Sequence, residues 1–111
     1  MTFQEWLNNQ CAKRANNEDF KAGHLMSNGH SILFDNLLLK DGISLSVQAS
    51  AFHYCEPREY LDDGAYESVE VYVSGVHDTV LNNYCDDNKV AKYVPVEIME
   101  KVAEHHGGIC N

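Results

Sequence analysis

Apolar side chains recur at Phe3, Trp6, Leu7 and Cys11, three or four positions apart, and predict an amphipathic helix over residues 3–15. Thr2 and Glu5 at its start have the spacing of a capping box, with the hydroxyl on the Glu5 amide and the carboxylate back on the Thr2 amide. Residues 16–29 mix Asn, Asp and Lys with Phe20, Leu25 and Met26, and read as a loop with one helical turn. The period then changes. Ile32, Leu33 and Phe34 form a short apolar run, and Leu37, Leu38 and Leu39 lead into Asp41-Gly42, a hairpin signal because both positions tolerate positive φ. Ile43, Leu45, Val47, Ala49 and Ala51 alternate with Ser44, Ser46, Gln48 and Ser50, which predicts a half-buried strand ending at residues 52–58, where Pro57 cannot donate to a ladder.

A polar loop with the turn signal Asp62-Asp63-Gly64 follows. Residues 68–74 alternate again, Val69, Val71 and Val73 on one face and Glu70 and Tyr72 on the other, so a second strand pairs with the first. Asp78 is placed to cap a short helix carrying Val80, Leu81 and Tyr84, and residues 89–94 read as a short strand or extended link. Pro95 suits the first position of a helix whose stripe is Ile98, Met99, Val102 and Ala103. Gly107-Gly108 stops it, Ile109 supplies the apolar contact of a C-terminal cap, and His105 and His106 suit the negative end of its dipole. The prediction is one α+β domain over residues 1–111, with an N-terminal helix, a small antiparallel sheet and a C-terminal helix.

Charge narrows the function classes. Eight Lys and Arg against 17 Asp and Glu give a net charge of −9, which argues against direct duplex nucleic-acid binding through a broad basic face. No apolar run reaches the roughly 18–20 residues of a membrane span, and residues 1–10 lack the basic-then-apolar pattern of a leader, so a cytoplasmic location is expected. Cys11, Cys55, Cys85 and Cys110 contain no C-x-x-C pair and are expected to be free thiols, with no metal and no cofactor; a site assembled in space from Cys55, Cys85 and histidines is the competing reading. Phosphate-binding glycine loops, H-E-x-x-H and G-x-S-x-G are absent from the sequence.

The densest chemistry lies in His53-Tyr54-Cys55-Glu56-Pro57-Arg58. Arg58, one of two arginines, has the fork that recognises phosphate or carboxylate, and Tyr54, Tyr60, Tyr66 and Tyr72 offer rings for a base. The competing reading pairs Arg58 with Glu56, Glu59 or Glu70 and leaves the tyrosines as sheet residues. His53 and Cys55 share a strand face, as a thiol–imidazole nucleophile pair would require, but no oxyanion-hole motif follows and an enzyme is not expected. Glu97, Glu100 and Glu104 fall at i, i+3 and i+7 and predict an acidic helical stripe, either a solvated face or a mimic of phosphates for a basic partner.

The strand through 43–50, the segment His53-Tyr54-Cys55-Glu56-Pro57-Arg58, the run Tyr66 to Tyr72, and Tyr93-Val94-Pro95-Val96-Glu97 followed by His106-Gly107-Gly108-Ile109 together resemble small proteins of phage genomes. The combination is similar to the phage Thoeris anti-defence sponge family and covers the last two-thirds of the chain. That resemblance implies an oligomer that sequesters a cyclic ADP-ribose-type immune signal in the host cell without catalysis. The C-terminal helix departs from it in carrying Lys101 but no arginine. Two functions follow. In the first, His53, Tyr54, Arg58 and Tyr72 bind a small cyclic nucleotide, with Arg58 on phosphate and Tyr54 or Tyr72 on adenine. In the second, Glu97, Glu100 and Glu104 bind a host defence protein complex directly, as an anti-CRISPR-type inhibitor would, and block its nucleic-acid channel. A homo-oligomer is expected, with the Phe3, Trp6, Leu7 and Cys11 stripe in its interface.

Overall fold

A computed structural model describes residues 1–23, 33–73 and 75–111, together with the backbone of residues 26–27 and 30–31. Leu25 and Ile32, named above, lie outside the described residues. The elements in chain order are α1 (Phe3–Ala15), α2 (Glu18–Lys21), β1 (Met26–Ser27), β2 (His30–Ser31), β3 (Leu37–Leu38), β4 (Ser44–Gln48), β5 (Ser68–Tyr72), α3 (Thr79–Asn82), β6 (Val90–Pro95) and α4 (Val96–His105). Strands β3-β4-β5-β6 form an antiparallel four-stranded sheet in sequence order, and β1 pairs with β2 separately. The fold is mixed α+β.

Local chemistry explains the boundaries. Both halves of the Thr2/Glu5 capping box form at the start of α1. The Asp41-Gly42 turn joins β3 to β4, setting Leu37 opposite Leu45 and Leu38 opposite Ser44. Asp78 accepts the Val80 and Leu81 amides and starts α3. After α4, the Gly108 amide returns to the Ala103 carbonyl (2.8 Å) and the Gly107 amide to Glu104 (3.1 Å). That pair of bonds is a Schellman stop, and both glycines have positive φ. Pro95 is the cap before α4, with Val96 the first helical residue, one place later than the sequence suggests.

The helices α1 and α4 pack on each other, and their apolar faces join the inner face of the sheet in one core: Trp6, Leu7, Met99 and Val102 lie in the same cluster as Leu45, Val47, Val69, Val71 and Val94. This corrects the expectation for α1. Phe3, Trp6, Leu7 and Cys11 are no more than 1% exposed within a single chain, so the stripe fills the monomer core and is not a surface for a second copy. Strand β4 is also shorter than the alternation predicts. Gln48 is buried because its amide clasps the Phe34 backbone, accepting its N–H at 2.9 Å and donating to its carbonyl at 3.3 Å. Burial of Gln48 thus satisfies a peptide that no strand covers.

Gly64 fastens the 59–66 loop to α1. Its carbonyl accepts from Gln4 Nε2 at 2.8 Å. With φ at +76°, a Cβ added there would overlap the Asn8 side chain and lie 3.0 Å from Asn8 Cα and 3.1 Å from Asn8 N. Gly64→Ala is expected to destabilise the protein by roughly 2–4 kcal/mol, combining the left-handed backbone with overpacking against main chain. Urea unfolding measures it, and a midpoint equal to wild type would contradict the tight approach.

Candidate functional site

Beyond Gln48 the chain leaves the sheet and folds back across the ends of β5 and β6. The Glu56 amide donates to Ser68 O (3.3 Å), the Glu67 amide to Glu56 O (2.8 Å), and the Tyr93 amide to Tyr54 O (3.2 Å). The Glu56–Pro57 peptide is cis. These bonds hold the His53–Arg58 segment against a bulge. Val69 pairs with Val94 and Val71 with Ala91, so Lys92 and Tyr93 together oppose the single residue Glu70. Tyr93 has φ +53°.

The result is an open groove of about 830 Å³ lined by Cys55, Glu56, Pro57, Arg58, Ala65, Glu67 and Tyr93. At its edge the Tyr54 ring gathers three neighbours: Tyr93 edge-on with centroids 5.9 Å apart, Lys92 Nζ at 4.4 Å from the ring centroid and Arg58 Cζ at 5.4 Å. Lys92 is also paired with Asp86 at 3.2 Å, and that hydrogen bond raises its pKa. Arg58 is exposed and, among the described residues, has no carboxylate within ion-pair distance. The pairing with Glu56, Glu59 or Glu70 that the sequence leaves open does not form.

The other candidate residues are dispersed. His53 Nδ1 lies 2.6 Å from Ser50 Oγ, and Nε2 lies 4.0 Å from Glu70. Burial pushes its pKa down, against the pull of Glu70. Ser50 also accepts the Phe52 amide and is only 3% exposed, so this hydroxyl closes a turn and is out of a substrate's reach. The buried Cys55 thiol donates to the Ser50 and Pro57 carbonyls, and burial raises its pKa. Both contacts tie the thiol to main chain. Tyr72 stands half-exposed on the outer sheet face opposite Ser46 and Val90, and the ring that meets Tyr54 is Tyr93 instead. Tyr66 is buried, its hydroxyl donating to Glu59 O (2.6 Å) and accepting from the Leu61 amide (2.9 Å). Tyr60 packs edge-on against Phe20 and Phe52. Neither ring is free for a base.

The acidic stripe of α4 is divided. Glu100 turns inward and accepts the Phe3 amide at 2.5 Å, placing a carboxylate on the positive end of α1. Glu97 and Glu104 remain exposed. All four cysteines are free thiols, and no group of three or more His, Cys, Asp or Glu suited to a metal occurs among the described residues. No helix of the described residues is long and apolar enough to cross a membrane.

The sequence pattern gives Tyr93 and Lys92 no role, because a bulge depends on the opposing strand and has no local signature here. Comparison of the chain with protein families, with curated proteins and with solved structures returns no match.

Proposed function

We propose that the protein is a non-catalytic receptor for a small anionic, aromatic ligand of nucleotide type, held at the groove beside Arg58. One observation carries the reading: on a chain of net charge −9, a guanidinium without a carboxylate partner among the described residues stands at a groove mouth against an aromatic ring. A fork of donors without a carboxylate partner among the described residues, at a groove that an aromatic residue also lines, matches a phosphate attached to a base. Combined with the phage-family resemblance, the ligand would be a cyclic ADP-ribose-type immune signal, and the activity its sequestration in the host cytoplasm. Cys55 and His53 have other partners, which supports binding over catalysis. An oligomer, also implied by the resemblance, would have to use surfaces other than the apolar stripe of α1.

The competing reading, an acidic inhibitor docking through α4 onto a defence complex, loses support from Glu100, whose carboxylate is engaged by the Phe3 amide. In calorimetry against cyclic ADP-ribose isomers, Arg58→Ala should weaken binding about ten- to a hundredfold, the equivalent of one charge-assisted bond of roughly 1.5–3 kcal/mol. Arg58→Lys should recover part of it. Reversal of Glu97 and Glu104 to lysine should leave nucleotide capture unchanged. No binding by wild type at high micromolar concentration, or full binding by Arg58→Ala, would overturn the proposal.

A further inference from the structure

We infer that Tyr93, a residue the sequence leaves without a role, is the platform that selects the ligand's aromatic part, a nucleobase stacking on its ring while the attached phosphate meets Arg58. The inference rests on the binding reading above and goes further by naming the ring and the ligand portion it recognises. Three observations converge on it.

The first is placement. Tyr93 lines the groove together with Arg58, whereas Tyr54 and Tyr72 do not. The second is availability. Lys92 and Arg58 both lie over the Tyr54 ring, so its π-surface already serves two cations. Tyr93 is 40% exposed, stands outside the hydrophobic core, and meets Tyr54 edge-on.

The third is backbone. In a regular strand between the inward-facing Ala91 and Val94, alternation could not send two consecutive side chains outward. The two-against-one bulge opposite Glu70 does so, and brings Lys92 and Tyr93 to the Tyr54 side of the sheet together. The bulge holds Tyr93 at φ +53°, a left-handed conformation that glycine or asparagine adopts far more readily than a bulky aromatic residue. A strained tyrosine that stands outside the core lines the groove, and strain of this kind collects at ligand-binding positions.

The test joins binding and stability. Cyclic ADP-ribose and ribose 5-phosphate, which lacks a base, are titrated by calorimetry into wild type and into Tyr93→Phe, Tyr93→Ala and Tyr93→Gly. Tyr93→Ala and Tyr93→Gly should each weaken cyclic ADP-ribose binding by roughly ten- to a hundredfold, the loss expected for one base–aromatic stack. Tyr93→Phe should stay within about threefold of wild type, because stacking uses the ring and not the hydroxyl. Ribose 5-phosphate should be indifferent to all three. In urea, Tyr93→Gly should unfold at a higher midpoint than Tyr93→Ala, the reverse of their usual order in a strand, because only glycine relieves the left-handed backbone. If wild type binds cyclic ADP-ribose and Arg58→Ala weakens it while Tyr93→Ala binds normally, this inference alone is overturned. If wild type binds neither probe, the receptor reading falls and this inference with it. A Tyr93→Gly protein less stable than Tyr93→Ala would refute the strain argument.

Discussion

Arg14→Ala should lower stability by roughly 3–5 kcal/mol, the sum of stranded buried acceptors and a cavity among rings, a large part of the 5–15 kcal/mol typical of a domain, and shift urea unfolding to a much lower midpoint. Arg14 is 5% exposed. Its Nη1 donates to Ala49 O at 2.5 Å, and Nη2 to Tyr66 Oη at 2.9 Å and Leu61 O at 3.3 Å. Phe34 and Tyr60 lie 4.7 Å and 4.8 Å from Cζ, with Phe20 at 5.8 Å. No carboxylate within ion-pair distance neutralises it among the described residues; carbonyl dipoles and ring faces carry the charge instead. One side chain therefore joins α1 to the end of β4 and to the 59–66 loop. Truncation strands buried acceptors and opens a cavity among rings at the same time. Arg14→Lys should fall between the two, since one ammonium cannot reproduce a planar fork reaching three acceptors on two segments. The single tryptophan, Trp6, lies in the adjacent core and reports the transition by fluorescence. A midpoint close to wild type would mean that water replaces the guanidinium without loss.

The second large effect is on pH dependence. His106 bridges two carboxylates: Nδ1 lies 2.5 Å from Asp41 Oδ2 in the β3–β4 turn, and Nε2 lies 2.7 Å from Asp78 Oδ2 at the cap of α3. Burial, the largest single influence on the imidazole, works to lower its pKa; the two carboxylates together outweigh it and hold the pKa above the ordinary 6.5. A folded-state pKa above the unfolded one gives stability that is full below about pH 6.5 and is lost as the pH rises through the raised value. Asp41, chiefly through its bond to His106, and Asp78, whose backbone and imidazole bonds outweigh burial, have pKa values below the ordinary 3.8. Their share is present above that value and disappears as the pH falls through the lowered ones. The difference in unfolding free energy between wild type and His106→Gln should accordingly form a plateau between about pH 4 and pH 6.5 and shrink on either side. Taking the difference removes the opposite trend of His53, whose lowered pKa makes acid protonation unfavourable in the fold. A difference that is flat from pH 5 to pH 9 would show that His106 is neutral and that the bridge is not an ion pair.

The link between α4, the hairpin turn and α3 is of a different kind from the dipole role that the sequence assigns to His105 and His106. His105 is exposed, whereas His106 turns back to partners 65 and 28 residues away. Backbone bonds from the Lys40 amide to Gly108 O (2.9 Å) and from the Asp41 amide to His106 O (3.2 Å) bring that helix end to the hairpin turn.

What the sequence by itself determined are the features decided within about four residues. The Thr2/Glu5 box, the Asp41-Gly42 turn, the Asp78 cap, the Val69, Val71 and Val73 face, and the Gly107-Gly108 stop are each a local contest between one side chain and its nearest peptides, and each forms in place. Periodicity also marked the apolar face of α1, but an apolar stripe carries no information on what covers it, and here α4 and the sheet do. The tertiary structure alone decided the roles of the charged and aromatic side chains. Arg14 is read by acceptors 35, 47 and 52 residues distant, Glu100 by an amide 97 residues distant, and Tyr93 by a bulge that exists only against Glu70. A charge or a ring takes its partner from whatever the folded chain delivers to it. That delivery left Arg58, among the described residues, without a carboxylate within ion-pair distance, and it buried the neighbouring Cys55.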